Sequence, residues 1–239
     1  MTRISCIIPV WNCETYISAA IESVKNQTRP VDEIVVVDDG STDGTAGVLA
    51  GISGITVVTQ TNQGASAARN LGITSSTGDL ICFNDADDLW MPEKTERQLA
   101  AMMASPELDM VFGMIEHRIV EGSAAAKNDQ ISLPQGIVEG RLIQNMLAKR
   151  SVFETVGLFE ASKSTTVEQE WLLKAREAGM AEFLVPELTS VRQVHGDNMT
   201  LRLATEKRSE YNDMLMKILR ERRQAGKTVK PTWDTGKDG

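Results

Sequence analysis

The sequence predicts an α/β protein in which helices flank a mostly parallel sheet and a further helix follows at the C-terminal end. Short apolar runs alternate with amphipathic segments over residues 3–88, in the order β-α-β-α-β-α-β. Two of the apolar runs end in acidic residues. Such alternation indicates parallel strands joined by crossover helices. Ligands of these sheets bind at the carboxyl ends of the strands.

The N-terminal elements follow from the spacing of apolar residues. β-branched and other apolar residues run together in each predicted strand. The first predicted helix instead repeats them with the period of an amphipathic helix, at Tyr16, Ile17, Ala20, Ile21 and Val24. Strands are predicted at 3–11, 32–41, 55–60 and 79–88, and helices at 13–27, 42–52 and 64–76.

The pattern changes after residue 91, where the regular alternation ends. A helix opens with Pro92 in its first turn, a position that tolerates proline. Helices are predicted at 92–105, 141–157, 167–179 and 205–226, extended segments at 109–120 and 181–194, a loop at 121–136 and a disordered tail at 227–239.

Composition argues against several classes of protein. The 239 residues, 41% of them hydrophobic, are enough for one core and argue against two independent domains. A formal net charge of -8 disfavours a nucleic-acid partner. The three cysteines lack metal-binding spacing and are interpreted as reduced thiols of a cytoplasmic protein. Neither a secretory signal nor an apolar run of about 18 residues is expected.

Asp85 and Asp87 form a D-x-D pattern at the end of the fourth predicted strand. Carboxylates this close repel each other unless a positive charge lies between them. A hard divalent cation, Mn2+ or Mg2+, binds such oxygen ligands and keeps positions open for water or phosphate. The alternative is a solvated turn in which Asp85 caps a helix. This alternative stays open because a short motif is weak evidence on its own.

Two further segments carry polar residues at element ends. Asp38 and Asp39 end the second predicted strand, and Gly40 allows a close turn. If the second and fourth strands are neighbours, both acidic clusters lie on one edge of the sheet. Arg69 and Asn70 lie in a helix of small residues. The structural alternatives are an ordinary strand-to-helix loop and tight helix packing, with Arg69 as a surface charge.

Taken in order, these segments resemble the family 2 glycosyltransferases of the GT-A fold. The resemblance rests on "IIPVWN" (7–12), "VVVDDGSTDGT" (35–45), "NQGASAARNLG" (62–72) and "NDADDLWMPEK" (84–94), and continues more loosely through 148–160, 167–179 and 191–200. It implies a nucleotide-binding sheet within one domain. That domain would cover 1–200, with a nucleotide-sugar half at 1–112, an acceptor half at 113–200 and a C-terminal helix at 201–226.

The resemblance also implies roles for individual residues. Asp39 would bind the nucleobase edge, and Trp11 would stack on the base unless it is a core residue under the loop. Asp87 would coordinate the metal, with Asp85 near the ribose or a metal-bound water. His195 would be a further metal ligand unless it is a hydrogen-bonded loop residue. The implied donor-binding residues are Pro9, Trp11, Asn12, Asp39, Arg69, Asp85, Ala86 and Arg192.

Four more residues are assigned on the same basis or left aside. Arg69 is expected near the base or the diphosphate, and Arg192 is expected to pair with a phosphate. Asp88 is expected to hold the loop. His117 is interpreted as structural.

The expected general base differs from the family pattern. Inverting members place an Asp just before a helix that aligns here on Trp171 and Arg176, and this alignment puts Glu168 at the base position and Glu170 two residues on. A glutamate has a similar intrinsic pKa and can take the acceptor proton, although its reach is longer. Otherwise both are ordinary first-turn glutamates, which the helix dipole favours.

The implied activity is transfer of a hexosyl-type sugar from a UDP-linked donor to an acceptor hydroxyl, with inversion. The acceptor would be a saccharide, a lipid-linked molecule or a peptide. The alternative is a catalytically silent homologue that binds a nucleotide sugar and acts through a partner. A phosphatase that forms an aspartyl-phosphate fits less well, because Leu89 stands where such enzymes need a hydroxyl residue.

The predicted C-terminal helix is basic and amphipathic. Residues 202–230 hold nine Lys or Arg and four Asp or Glu. The helix would pack on the catalytic domain, form a homodimer, or lie on the inner face of an anionic membrane. The acidic remainder of the chain opposes the membrane interpretation. The apolar stripe comprises Tyr211, Met214, Leu215, Ile218 and Leu219.

Overall fold

A computed structural model describes residues 2–128, 134, 136–162, 166–196 and 198. These residues form one sheet flanked by helices. The strands are β1 (Ile4–Val10), β2 (Glu33–Asp38), β3 (Thr56–Thr59), β4 (Leu80–Phe83), β5 (Leu89–Trp90), β6 (Met110–Ile119), β7 (Ile137–Gly140), β8 (Leu147–Lys149) and β9 (Glu182–Val194). The helices are α1 (Ile17–Lys25), α2 (Thr45–Ala50), α3 (Ala65–Ser75), α4 (Lys94–Ala104), α5 (Arg150–Val156) and α6 (Val167–Glu177).

The sheet has the strand order β3-β2-β1-β4-β8-β6-β9-β5, with β7 paired to β6. The strands β3, β2, β1 and β4 are all parallel. β8 is antiparallel to both of its neighbours, β6 and β9 are parallel, and β5 is antiparallel to β9. The predicted α/β fold is therefore confirmed, with four parallel strands in the N-terminal half and both parallel and antiparallel pairs in the second half.

The central strand β1 explains why the first apolar run is continuous. All seven of its residues are buried, as expected for a strand covered by helices on both faces. Alternate residues pack on opposite faces of the sheet: Ile4 and Ile8 belong to one apolar cluster, and Ile7 belongs to another. On one face, α1 buries Ile17 and Ile21 with their predicted period.

One sequence-based expectation of the fold needs correction, and one condition stated for the sheet is not met. The segment 141–157 is not one helix: it contains a 3-10 turn at Ile143–Asn145, then β8, then α5. Its apolar run is helical in period, but Leu147 and Ala148 are fully buried between β4 and β6. Sheet pairing therefore overrides local preference there. The second and fourth strands are also not neighbours, because β1 lies between them, although their carboxyl ends share one edge.

The predicted helix at 205–226 and the tail at 227–239 lie outside the described residues. The division at 112 and the domain end at 200 remain predictions. Within the described ranges, no helix combines the length and the apolar character needed to cross a membrane.

Lys94, at the start of α4, has a fully buried side chain. Its Nζ donates to Gln98 Oε1 (2.8 Å) and lies 4.1 Å from the centre of the Trp90 ring. Burial lowers the pKa of Lys94 from 10.5 to about 8, although the nearby Cys82 and Cys6 oppose the shift. Burying this charged ammonium group therefore lowers the stability of the folded protein.

We expect Lys94→Met to raise the free energy of unfolding by about 1 to 2 kcal/mol near neutral pH, because a well-packed apolar side chain avoids the desolvation of a buried charge. The lost Gln98 hydrogen bond and ring contact offset part of the gain. The pKa of Lys94 is lower in the folded protein than in the unfolded chain. The destabilisation caused by burying its charge is therefore complete below about pH 8 and disappears as the pH rises towards 10.5. Urea unfolding should show that the variant exceeds the native protein in free energy of unfolding by less at pH ~9.5 than near neutral pH.

The control for simple loss of positive charge is Lys149→Met, since the Lys149 side chain is one-third exposed and is paired with Asp109. A Lys94→Met variant that is less stable than the native protein near neutral pH would contradict the prediction.

Candidate active site

The loops after β1 and β2 are tied together at the carboxyl edge of the parallel strands. Asn12 lies in the left-handed region with φ 49°, which asparagine tolerates better than most residues. Its amide nitrogen in the main chain donates to Ser41 Oγ (3.0 Å), and its Oδ1 accepts from the Thr42 main-chain N–H (2.7 Å). The two loops therefore form one cross-linked surface beside Trp11.

Asp39 is almost fully buried, at 3% exposure. Its carboxylate accepts hydrogen bonds from Gln60 Nε2 (2.7 Å) and from the main-chain N–H groups of Gln63 and Gly64 (2.8 Å each). These bonds hold the start of α3 against the end of β2. A carboxylate offers about four lone-pair positions, so these three bonds leave capacity for one more donor. Gly40, at φ 72°, supplies the turn that follows.

Three further residues of the donor-side prediction differ in exposure. Trp11 is 48% exposed, so its interpretation as a core residue is wrong. Pro9 is buried within β1, opposite Val37. Ala86 is buried, and its carbonyl accepts from Cys13 Sγ (3.5 Å). Trp11 thus presents a flat apolar surface at this edge, whereas Pro9 and Ala86 are buried below the surface.

The turn after β4 carries the acidic rim, which we define as Asp85, Asp87 and Asp88. Ligand atoms of these three carboxylates all lie within 4.8 Å of one another. Burial raises the pKa of Asp85 to about 6; Arg69 opposes this rise, while Glu168 and Asp87 add to it. Burial and the charges of Asp87 and Asp85 also raise the pKa of Asp88. The rim therefore concentrates negative charge that a cation would stabilise.

Asp88 has a structural contact that separates it from the other two carboxylates. It is 3% exposed, and its Oδ1 accepts from the Gln193 main-chain N–H (3.1 Å). Its main-chain carbonyl accepts from Asn84 Nδ2 (3.1 Å). These contacts are consistent with the expectation that Asp88 holds the loop.

His195, just after β9, reaches the rim from the other half of the sheet. Its Nε2 lies 3.0 Å from Asp87 Oδ2, and its ring stacks on Tyr16 with 4.2 Å between ring centres. Adjacent ligands of an octahedral ion with bonds of about 2.1 Å lie about 3 Å apart. The observed separation therefore fits a shared ion as well as a direct hydrogen bond, and the donor set of carboxylates with an imidazole suits a divalent metal.

Arg69 joins the acidic rim to α6. It is 2% exposed, so its interpretation as a surface charge is wrong. Its Nη2 donates to Asp85 Oδ1 (2.7 Å) and its Nη1 to Glu168 Oε1 (2.6 Å). One guanidinium therefore positions two carboxylates from distant parts of the chain. α3 can lie close enough because Gly72 faces Ile7, where a Cβ would approach the side chain to 2.3 Å.

The two candidate bases differ in what they contact. Glu168 is directed towards Arg69 and the rim, and its side chain is 29% exposed. Glu170 Oε1 accepts from Thr166 Oγ1 (2.9 Å) in the first turn of its own helix. α6 is fixed by Trp171, whose Nε1 donates to the Gly157 carbonyl (2.7 Å). The structure thus brings Glu168, rather than Glu170, to the acidic edge.

Arg192 and His117 face each other in neighbouring strands, as register partners in β9 and β6. The charge of Arg192 opposes the rise in the pKa of Asp85 and of Asp88. Burial lowers the pKa of His117, and Arg192 adds to this effect. Arg192 is therefore close enough to the rim to act on its charge.

Sequence reasoning missed three residues that contact this site. Gln193 Nε2 donates to the Asp87 carbonyl (2.6 Å), Asn198 Nδ2 donates to Asp87 Oδ2 (3.0 Å), and Tyr16 stacks on His195. The proximity of Gln193 and Asn198 to His195 in the chain was a usable signal. Tyr16 gave none, because its spacing fits the apolar face of α1 equally well.

Comparisons with known proteins match this chain to a family and to several relatives. The family model described as "Glycosyl transferase family 2" matches residues 5–163. An uncharacterized glycosyltransferase of Nostoc sp. is 39% identical over 127 residues, covering 51% of this chain and 38% of the relative. One from Haemophilus influenzae is 36% identical over 147 residues, covering 57% and 58%. The chain thus spans less than two thirds of these relatives.

Solved structures show the same fold. The crystal structure of S. aureus TarS 1-349 in complex with UDP superposes with a TM-score of 0.65 at 22% identity, covering 80% of this chain and 60% of that one. A complex of the same protein with UDP-GlcNAc gives a TM-score of 0.64. The similarity extends beyond the parallel strands, since four fifths of this chain is covered.

Proposed function

Because the chain belongs to glycosyl transferase family 2, we propose that it is a metal-dependent hexosyltransferase acting on a UDP-linked sugar. The product would be a glycoside of inverted configuration, formed on an acceptor hydroxyl in one displacement. The observation that carries this proposal is the link from Glu168 through Arg69 to Asp85. It supports a base on the acceptor side that is held next to carboxylates on the donor side.

The proposed reaction balances with the residues of this edge. Glu168 takes the proton of the acceptor hydroxyl as its oxygen attacks the anomeric carbon. The bond from that carbon to the diphosphate oxygen breaks on the opposite side, and the nucleoside diphosphate leaves with the electron pair. Arg69 holds the Glu168 carboxylate in place, and Arg192 offsets negative charge near the departing phosphate.

Asp87 and His195 are the proposed metal ligands, with Asp85 binding directly or through water. A bound divalent ion supplies charge compensation for the leaving diphosphate. The imidazole favours Mn2+ over Mg2+, because Mg2+ prefers oxygen ligands in near-ideal octahedral geometry. The acidic rim alone would leave this choice open.

Asp39 and Trp11 support the choice of uracil as the base. Asp39 accepts three hydrogen bonds and retains capacity for one donor, which matches the single ring N–H of uracil. Trp11 is exposed beside it and offers a stacking surface. TarS has been crystallised with UDP and UDP-GlcNAc, and a related donor is proposed here.

The acceptor is proposed only as a class of molecule, and the location only from the charge of the C-terminal segment. A saccharide, a lipid-linked molecule or a peptide would each supply the required hydroxyl. The basic segment 202–230 supports either a homodimer contact or attachment at the inner face of a membrane. Attachment at the inner face of a membrane would place the catalytic residues in the cytoplasm.

A thermal-shift screen of nucleotides tests the donor assignment. With Mn2+, UDP and UDP-sugars should raise the melting temperature more than ADP, CDP or GDP, because binding to the native state alone stabilises it. Removing Mn2+ with EDTA should reduce the shift. Equal shifts for all four nucleoside diphosphates would contradict the assignment of uracil. Tight binding of a UDP-sugar with no release of UDP in the presence of varied acceptors would instead support a catalytically silent homologue.

A further inference from the structure

Asn198 is a buried amide whose three hydrogen bonds join the end of β9 to the turn that carries Asp87. Its Nδ2 donates to Asp87 Oδ2 (3.0 Å) and to the Gln193 carbonyl (2.9 Å). Its Oδ1 accepts from the His195 main-chain N–H (2.7 Å). Both amide hydrogens and the amide oxygen therefore take part in hydrogen bonds, and the residue is only 7% exposed.

These bonds connect the two residues that are proposed as metal ligands at the rim. One amide hydrogen fixes the Asp87 oxygen that faces His195 Nε2. The amide oxygen fixes the main chain of His195 itself. A single side chain thus sets the spacing between a carboxylate and an imidazole that are contributed by opposite halves of the sheet.

The His195 ring is restrained on its other side as well. Tyr16 stacks on it with an interplanar angle of 24°. The imidazole Nδ1 is buried and has no hydrogen-bond partner among the described residues. The ring orientation therefore depends on the Tyr16 stack and on the turn that Asn198 closes, because no hydrogen bond to Nδ1 fixes it there.

We propose that Asn198 is a positioning residue that pre-organises Asp87 and His195 as a pair of ligands for one divalent ion. This inference rests on the proposed metal-dependent function. Outer partners that orient metal ligands typically contribute about 10- to 100-fold to metal affinity. Asn198 does so by holding Oδ2 and Nε2 at the 3.0 Å separation that adjacent ligands require.

Titration of the full-length protein with Mn2+, followed by the electron paramagnetic resonance of the free ion, tests the proposal without a turnover assay. We expect Asn198→Ala to weaken Mn2+ binding by about 10- to 100-fold. Affinity for UDP in EDTA should remain within about twofold of native, because Asp39 and Trp11 are untouched. Asn198→Ser, which retains a small polar group, serves as the second variant if the alanine variant does not fold.

Gln27→Ala is the matched control. Gln27 is also a buried amide that links separate segments, through Nε2 to the carbonyls of Ser23 and Met91 and through Oε1 to Thr95. None of these partners is a carboxylate. It should lower the melting temperature as Asn198→Ala does, while leaving Mn2+ affinity unchanged.

A double-mutant comparison separates positioning from general loosening. If Asn198 acts through His195, Asn198→Ala should have a smaller effect on Mn2+ affinity in a His195→Ala background than in the native protein. Equal effects in both backgrounds, or native Mn2+ affinity in Asn198→Ala, would overturn the inference while leaving the metal site intact. A native protein that binds Mn2+ no better than Asp87→Ala would overturn the metal assignment as well.

Discussion

Glu168→Gln should retain donor affinity and lose transfer by about 100- to 10,000-fold, the usual contribution of a general base. The amide keeps the size of the side chain and can still accept from Arg69 Nη1, which now donates to Glu168 Oε1 at 2.6 Å. It removes the group that takes the proton. Steady-state release of UDP with a competent acceptor, together with UDP-sugar affinity from titration calorimetry, separates the two effects.

Two companion variants sharpen this test. Glu177→Gln changes a glutamate in the last turn of the same helix and should leave the rate within a fewfold of native. Glu170→Gln tests the second candidate base, whose carboxylate contacts Thr166. A Glu168→Gln enzyme within a fewfold of the native rate, beside an inactive Glu170→Gln enzyme, would move the base assignment to Glu170.

Asp87→Ala should reduce UDP affinity in the presence of Mn2+ to the metal-free level. Because a proposed direct ligand is removed, Mn2+ affinity should fall by more than the factor of about 10 to 100 that is typical when a residue that only orients a ligand is lost. The fold should persist: the lost contacts to His195 and Asn198 are offset by relief of a like charge that raises the pKa of Asp88 and Asp85. Melting temperature in EDTA and UDP titration with and without Mn2+ measure both effects.

Asp109→Ala is the control for this variant. The Asp109 carboxylate, like that of Asp87, accepts hydrogen bonds; its Oδ2 accepts from the Ala181 main-chain N–H (3.0 Å), and it pairs with Lys149. It lies outside the acidic rim, so Mn2+-dependent UDP affinity should stay at the native value. If Asp87→Ala keeps the same Mn2+-dependent affinity as Asp109→Ala, the metal does not bind at Asp87.

Several features of the molecule were predictable from the sequence because they depend on residues close together in the chain. The β-α alternation predicted the four parallel strands to within three residues at each end, except that the fourth strand ends at Phe83 and not at 88. The positions of Asp39, Asp85 and Asp87 at strand ends followed from the same alternation, since parallel strands present their carboxyl ends on one edge. The apolar period of α1 likewise identified its buried face.

The tertiary structure decided what depends on strand order and on contacts between distant residues. β8 is short and apolar, and only the gap between β4 and β6 makes it a strand. Arg69 reaches Glu168 across 99 positions of sequence, and Asn198 reaches Asp87 across 111. No local spacing encodes such pairs. They form because the order of strands in the sheet brings β4, β9 and two helices to one edge, where buried charges must find partners or remain at a large desolvation cost.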